Sequence, residues 1–492
     1  MSINPLLTQT QSIGSKVIRG TFWTVGMRWL SRFMGLASMV VIARLLTPED
    51  FGIMAVATAL VGLLDAFTDL GVDNALIRHP DPQRKHYDTA WTFSILIHIF
   101  IAALIAVAGF FSAKFYNDPR FEPVLYAMSI SMLIDGFTNI GFTQFRRNLA
   151  FHKDFQINVS IQLIGVIATM GFGLWLHSYW ALVLGGVARS VTRLMLTYLM
   201  HPYRPRLSLS ARREMFGFSF WMMVRSIAIF LTNKADRLVL AAYFSPTIVG
   251  LYAIAGELAE MAVFEILYPL GRVLLPALAT KQHDQAWLEE SIKKIFNITA
   301  TIAMAAGMGL ASIAEPVLHL IYGAQYIQAA SMLKLLAVIS LIGGFNQPIG
   351  EILLLMNKTR DFALIFIVEG IITLLVVYTL SVNNFDFQTI LYGRLSVTSL
   401  TIFRLFYLLR TLKSITLLAI LSAWIRPVIA GMVMYFVLHA SQQMFPGLAP
   451  EFTILLSLLV GALTYSVALL SLWYLMRKPM GFEYELISRI KK

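Results

Sequence analysis

Fourteen stretches of about 20 mainly apolar residues, the length that crosses a bilayer as a helix, leave this chain few ways to fold. They lie near 18–43, 51–73, 88–112, 122–145, 156–176, 179–200, 215–235, 248–275, 292–314, 329–356, 362–381, 388–409, 416–439 and 453–475. The rest is short connector, apart from moderate polar loops near 74–87, 201–214 and 279–291. Composition agrees: the chain is 58% hydrophobic and 13% charged, against about 45–50% and about 25% in soluble domains. The expected fold is an all-α integral membrane protein. The first fifteen residues are polar and the first apolar run is too long for a signal-peptide core, so no cleavable targeting segment is expected.

Lysine and arginine fix the orientation. Connectors on the N-terminal side carry about 24 of them, and those on the other side only Arg44, Lys114, Arg120, Lys234 and Arg237, about 5. The alternation holds at nearly every loop, so both termini are expected in the cytoplasm. The net charge of +12 would point to nucleic acid in a soluble protein. In a membrane chain it reflects inner loops facing anionic lipid, so membrane lipids, and no nucleic acid, are the expected partners.

Within this pattern one unit occurs twice. Thr47-Pro48-Glu49-Asp50-Phe51-Gly52 through Ala57 returns 198 residues later as Ser245-Pro246-Thr247-Ile248-Val249-Gly250 through Ala255, and Phe22-Trp23 pairs with Phe220-Trp221 at the same offset. A long-period repeat in an apolar chain is a signature of a two-lobed membrane transporter. Each copy holds six spans, so both run the same way across the bilayer. The expected organisation is an N-lobe over 1–205, a C-lobe over 206–412, two further helices over 413–476 and a cytoplasmic tail over 477–492. Pro48 and Pro246 fall where a helix begins and a missing N–H costs little. Gly52 and Gly250 allow close helix packing.

An ionisable residue at the centre of a span costs about 2.5–3.5 kcal/mol on insertion scales. It persists only facing a partner, the bundle interior or a wet cavity. Arg28 and Arg32 share one face of span 1; Asp65 and Asp69 share one face of span 2, at matching depths. Arg225 lies close to the repeat equivalent of Arg28. Glu257, Glu260 and Arg272 lie in span 8. Two roles are open for Arg28, Arg32 and Arg225. They form internal salt bridges, or they make a cationic wall for an anionic substrate, a task that suits the planar, permanently charged guanidinium fork. For Asp65, Asp69, Glu257 and Glu260 the choice is proton or sodium coupling against charge pairing or helix capping. Arg189, Arg193 and Arg404 sit nearer a cytoplasmic edge, where a snorkelling side chain reaches the headgroups.

Span 10 holds Gly343-Gly344-Phe345-Asn346-Gln347-Pro348, a composition that favours a hinge. Asn346 and Gln347 would satisfy freed backbone groups or touch a hydroxyl-rich ligand. No enzyme signature is visible. The nine histidines show no metal-ligand spacing, the lack of cysteine removes thiolate sites, and no Gly-rich phosphate loop precedes a helix. No metal or cofactor is expected, and energy would come from an ion gradient or the membrane potential.

Ala43-Arg44-Leu45-Leu46 through Gly52, Asp69-Leu70-Gly71 and Phe145-Arg146-Arg147 through Phe151 resemble the first-lobe pattern of the polysaccharide flippases. Arg237-Leu-Val-Leu, Val249 through Ala255, Arg272 through Leu278, Leu320-Ile-Tyr-Gly323 with Tyr326 and Asn346 through Gly350 resemble that of the second lobe. The chain is similar, over about 16–475, to Wzx-type exporters of the MOP superfamily, in the branch resembling colanic-acid exporters. The resemblance implies a MATE-like, V-shaped pair of lobes around a cationic cavity. It implies flipping of an undecaprenyl-pyrophosphate-linked oligosaccharide across the bacterial inner membrane by alternating access, for exopolysaccharide or lipopolysaccharide biosynthesis. A polysaccharide polymerase and a chain-length regulator are the further partners it implies. Arg28, Arg32 and Arg225 would meet the pyrophosphate, with the sugars in the cavity, and Arg272, Asn346 and Gln347 are further candidates to contact the pyrophosphate or the sugars.

Two other functions fit a chain of this kind. A small-molecule antiporter of the same fold calls for a smaller, more acidic cavity. A membrane-embedded polymerase, ligase or glycosyltransferase calls for a substantial outer catalytic region, and the longest outer connectors here have only about 13–15 residues.

Overall fold

The computed structural model describes residues 5–68, 76–77, 79–215, 219–280, 285–356, 358–400, 402–412 and 416–476. Those residues are helical almost throughout, with no strand among them. The chain forms two compact units, Met1–Phe230 and Leu231–Lys492.

The first unit holds α1 (Pro5–Leu45), α2 (Pro48–Asp65), α3 (Arg84–Phe115), α4 (Phe121–Gly136), α5 (Thr143–Arg147), α6 (Phe151–Leu176), α7 (Trp180–Met200) and α8 (Arg212–Met215). The boundary falls inside α9 (Ser219–Asn233). Both repeat prolines open a helix, Pro48 in α2 and Pro246 in α11 (Pro246–Thr280). At the first, Thr47 and Asp50 make reciprocal cap bonds. Thr47 Oγ1 accepts from the Asp50 N–H at 3.3 Å, and Asp50 Oδ2 accepts from the Thr47 N–H at 2.9 Å. The sequence Thr-Pro-Glu-Asp is therefore a helix start with two orphan donors satisfied.

Small residues set how closely these helices approach. A Cβ on Gly173 would lie 2.7 Å from Ile42 Cδ1, which seats α6 on α1. One on Gly136 would lie 2.5 Å from His98 Cβ, which seats α4 on α3. At Gly185 it would collide with the Thr169 hydroxyl, which seats α7 on α6.

The second unit continues with α10 (Asp236–Tyr243), α11, α12 (Gln285–Ser312), α13 (Ala314–Ile321), α14 (Ala330–Leu355), α15 (Thr359–Val382), α16 (Phe387–Ser399), α17 (Ile402–Leu412), α18 (Leu417–Met444) and α19 (Pro450–Leu475). Two apolar clusters fill its interior among the described residues. Ile292, Phe296, Ile349, Ile352, Leu405 and Ile420 form one. Val263, Leu267, Ala303, Met304, Leu341 and Met434 form part of the other. Large apolar side chains such as Phe110, Phe111, Leu459 and Leu463 point outward. A hydrocarbon solvent accepts such a surface; water does not.

Among the described residues nine helices are long and apolar enough to span a bilayer, or ten with the pair Phe121–Gly136 and Ile140–Arg147, bent by 61°, taken as one span. The bend follows from Asn139, whose side chain accepts from the Gly141 N–H at 2.9 Å and donates to the Tyr203 carbonyl at 2.8 Å. Those bonds start a new turn instead of continuing the old one. The other four expected spans are occupied by α1, by α2, by the short α9, and by α16 and α17, which divide 388–409.

The glycines of span 10 do not break it: α14 is helical from Ala330 to Leu355 with Pro348 inside. A Cβ on Gly344 would lie 2.9 Å from both Ala303 Cβ and Val263 Cγ1. The hinge expected there is thus a packing seam. Gly344→Val is expected to cost about 1–3 kcal/mol through overpacking, seen as a lower melting temperature of the detergent-solubilised protein. An unchanged melting temperature would contradict so close a contact.

Candidate functional site

Arg28 and Arg32 stand one turn apart on α1 and so on one face of it. Both side chains are half-buried, as is that of Arg225 on α9. None of the three is fully exposed and none is fully buried. Arg272 lies in α11, with its side chain outside the described residues, and Asp69 lies outside them altogether.

Of the carboxylates, Asp65 closes α2 and is exposed. Its Oδ1 accepts from the Thr68 hydroxyl at 2.9 Å. Exposure and a local turn bond favour its capping alternative over ion coupling. Glu260 on α11 is half-buried, with Lys234, Asp236, Arg237 and Glu257 as its charged surroundings; Glu257 is exposed. The pair therefore belongs to a mixed-charge cluster at the start of the second unit. Asn346 is buried and donates from Nδ2 to the Ile342 carbonyl at 2.7 Å, one turn back. Gln347 Oε1 is buried and accepts no hydrogen bond among the described residues.

Three further charge clusters are formed by partners far apart in sequence. In the second unit Arg394 on α16 pairs with Asp236 on α10, Nη1 to Oδ2 at 2.6 Å. The Tyr252 hydroxyl donates to the same oxygen, and the Arg237 N–H to Oδ1 at 2.9 Å. The carboxylate is thus fully coordinated, and the guanidinium also faces the Tyr252 ring. Next, Arg404 pairs with Glu369 and lies 3.9 Å from the centre of the Phe366 ring. It is buried and paired, so it does not snorkel. In the first unit Asp135 on α4 accepts from Ser190 at 2.9 Å and pairs with Arg193 at 3.4 Å, both on α7.

On the expected cytoplasmic side, residues 201–211 form a strap over the start of α3. Asp88 Oδ1 accepts from the Tyr203 hydroxyl at 2.7 Å and the Arg206 N–H at 2.8 Å. Thr92 Oγ1 accepts from the Ser208 N–H at 2.9 Å. The strap brings Glu214 to His86 and His79, whose ligand-capable atoms lie within 4.8 Å of one another. No sequence spacing shows that grouping. The hydrogen bonds argue against a metal centre there. His86 Nδ1 accepts from the Gln83 N–H and His79 Nδ1 from the Asp81 N–H, so each neutral ring carries its proton on Nε2. Coordination at Nε2 would need that proton moved to a nitrogen already facing a donor. The arrangement is a carboxylate clamp instead. The His86 hydrogen bond, then that of Lys85, holds Glu214 below the usual carboxylate range.

On the opposite side Arg120 holds Asp118 at 2.7 Å and Glu49 at 2.6 Å. Burial alone would raise Asp118, but the hydrogen bonds and charge of Arg120 outweigh it and hold the carboxyl low. A lowered folded value gives stability that is complete above the unfolded value, about 3.9, and lost as pH falls through the folded one. Arg120→Ala is expected to cost about 1 kcal/mol or less, since the pair is solvent-screened. Melting curves of wild type and variant are expected to differ at neutral pH and converge in acid. A gap that widens in acid would contradict this.

A family model described as "Polysaccharide biosynthesis protein" matches residues 41–331. The lipopolysaccharide biosynthesis protein WzxC of Escherichia coli (strain K12) is 25% identical over 71% of each chain. The succinoglycan biosynthesis transport protein ExoT of Rhizobium meliloti (strain 1021) is 24% identical over 67% of each. Among solved structures, the lipid II flippase MurJ in an inward closed conformation matches with a TM-score of 0.71 at 13% identity, over 93% of this chain and 99% of that one. An inward-facing multidrug transporter of the MATE family, in the MOP superfamily, matches with a TM-score of 0.60 at 14% identity, over 78% and 96%. The chain has that all-α membrane fold.

Proposed function

Because this chain belongs to the polysaccharide biosynthesis protein family, we propose that it is a flippase that carries lipid-linked oligosaccharides across a membrane. It is a multi-pass membrane protein and not an enzyme: the relatives are named for polysaccharide biosynthesis and transport. The observation that carries the reading is the pair Arg28 and Arg32, half-buried on one face of a helix in a chain built for lipid. A guanidinium there needs an anionic or wet surrounding, and a diphosphate supplies the matching charge and acceptor geometry.

In this reading Arg28, Arg32 and Arg225, with Arg272, hold the pyrophosphate of an undecaprenyl-linked oligosaccharide, while the polyprenyl tail stays in the bilayer. Gln347, whose amide oxygen is left without a hydrogen bond among the described residues, and Asn346 contact sugar hydroxyls. The site opens to the cytoplasm and then to the outer side of the bacterial inner membrane, with both termini cytoplasmic. Glu257 and Glu260 couple the cycle to an ion gradient, and Asp69 is a further candidate. A polymerase and a chain-length regulator act on the delivered unit.

The test is deletion of the gene in its native host. The expected result is loss of surface polysaccharide, with the lipid-linked glycan accumulating headgroup-inward and rescue by the intact gene. Unchanged surface polysaccharide, or accumulation headgroup-outward, would overturn the reading.

A further inference from the structure

Arg189 is a mid-helix cation whose buried Nε has no hydrogen-bond acceptor among the described residues. It is on α7, between Trp180 and Met200, roughly 14 Å along the helix from one end and roughly 16 Å from the other. That is farther than its side chain extends, so it does not reach the headgroups by snorkelling. Among the described residues it makes no hydrogen bond, and its Nε is buried. The guanidinium stem crosses α6 at Gly165, where a Cβ would lie 2.8 Å from Nε. Its charged neighbours are Arg193 and Asp135. Asp135 already accepts from Ser190 through one oxygen and pairs with Arg193 through the other. Two guanidinium groups therefore share one carboxylate, and Arg189 Nε is left without an acceptor among the described residues.

We infer that Arg189 and Arg193 form a phosphate site inside the first unit, with Asp135 as the stand-in anion when the site is empty. The ligand is the diphosphate of a lipid-linked glycan in transit. Depth selects that source. The phosphates of resident phospholipids stay at the interface, roughly 15 Å from the bilayer centre, whereas a headgroup being carried across must pass mid-depth. The inference rests on the flippase reading and adds a second station to it, apart from Arg28, Arg32 and Arg225. An arriving phosphate takes Arg189 first and then competes with Asp135 for Arg193, so Asp135 sets how tightly the headgroup is held.

The test is binding of a short-chain polyprenyl diphosphate to the full chain in nanodiscs, made once with neutral lipid and once with phosphatidylglycerol. Melting temperature is measured alongside. Arg189→Gln and Arg193→Gln are each expected to weaken binding about tenfold or more, with Arg189→Lys in between. Asp135→Asn is expected to tighten binding severalfold, because it frees Arg193 while keeping a partner for Ser190. A merely structural cluster would give no gain there. Equal binding by wild type and Arg189→Gln at equal melting temperature overturns the inference. So does a diphosphate displaced by phosphatidylglycerol at equal concentration, or an Asp135→Asn variant that binds no tighter. If wild type itself does not bind the diphosphate, the flippase reading fails as well; if wild type binds and the variants match it, only this second station fails.

Discussion

Replacing Arg28, Arg32 and Arg225 together by glutamine is expected to abolish surface polysaccharide while the protein stays inserted at wild-type levels. A charge-assisted hydrogen bond is worth about 1.5–3 kcal/mol net. A single replacement should therefore lower export roughly 10- to 100-fold, and the triple variant should bring it below detection. Lysine should restore part of the activity, since it keeps the charge but not the planar fork. The competing role, internal salt bridging, predicts a different pattern: less protein in the membrane, a lower melting temperature and no preference for lysine at equal abundance. The readouts are surface polysaccharide per cell and the amount of protein in the membrane fraction. Full export by all three single variants would remove the phosphate role.

Asp236→Ala is expected to be the most damaging single change to stability. It leaves Arg394, whose side chain is only 13% exposed, without its carboxylate, and the buried Tyr252 without its acceptor. Breaking a buried pair from one side costs about 3–5 kcal/mol. The double variant Asp236→Ala, Arg394→Met should recover much of that loss, because it removes the orphan charge with its partner. Thermal unfolding of the two variants and of wild type, in the same detergent, measures the difference. A wild-type melting temperature for Asp236→Ala would mean that the pair is not desolvated as the structure has it.

The frame of the molecule was readable because its strongest determinant is local. Twenty apolar residues in a row need no tertiary context to be read as a span, and ten expected spans correspond, among the described residues, to helices long and apolar enough to cross alone or as a bent pair. Pro48 and Pro246 were readable for the same reason, since a proline marks a helix start through its own chemistry. What was not readable depends on neighbours. Asp236 looked like part of a connector, and Arg394 lies 158 residues further on; nothing in either local sequence names the other. Gly343 and Gly344 have the composition of a hinge, but composition does not say what faces a glycine, and here it is the wall of α11 and α12. Arg189, by contrast, is legible as a mid-span residue, since the expected limits 179–200 centre it as α7 does, so reading it as an edge residue does not follow from the sequence. The grouping of His79, His86 and Glu214 required the strap at 201–211. Of the proposed site, the sequence supplies the identities and the helical face of Arg28 and Arg32; their surroundings come from packing.

The central claim, transfer of a lipid-linked glycan from one leaflet to the other, is most directly tested with purified protein in sealed vesicles. A fluorescent polyprenyl-diphosphate oligosaccharide is loaded, and its access to an external quencher is followed over time. Vesicles holding the wild-type chain are predicted to expose the inner-leaflet pool much faster than protein-free vesicles or vesicles holding the triple arginine variant. Equal exposure in all three preparations would contradict the account.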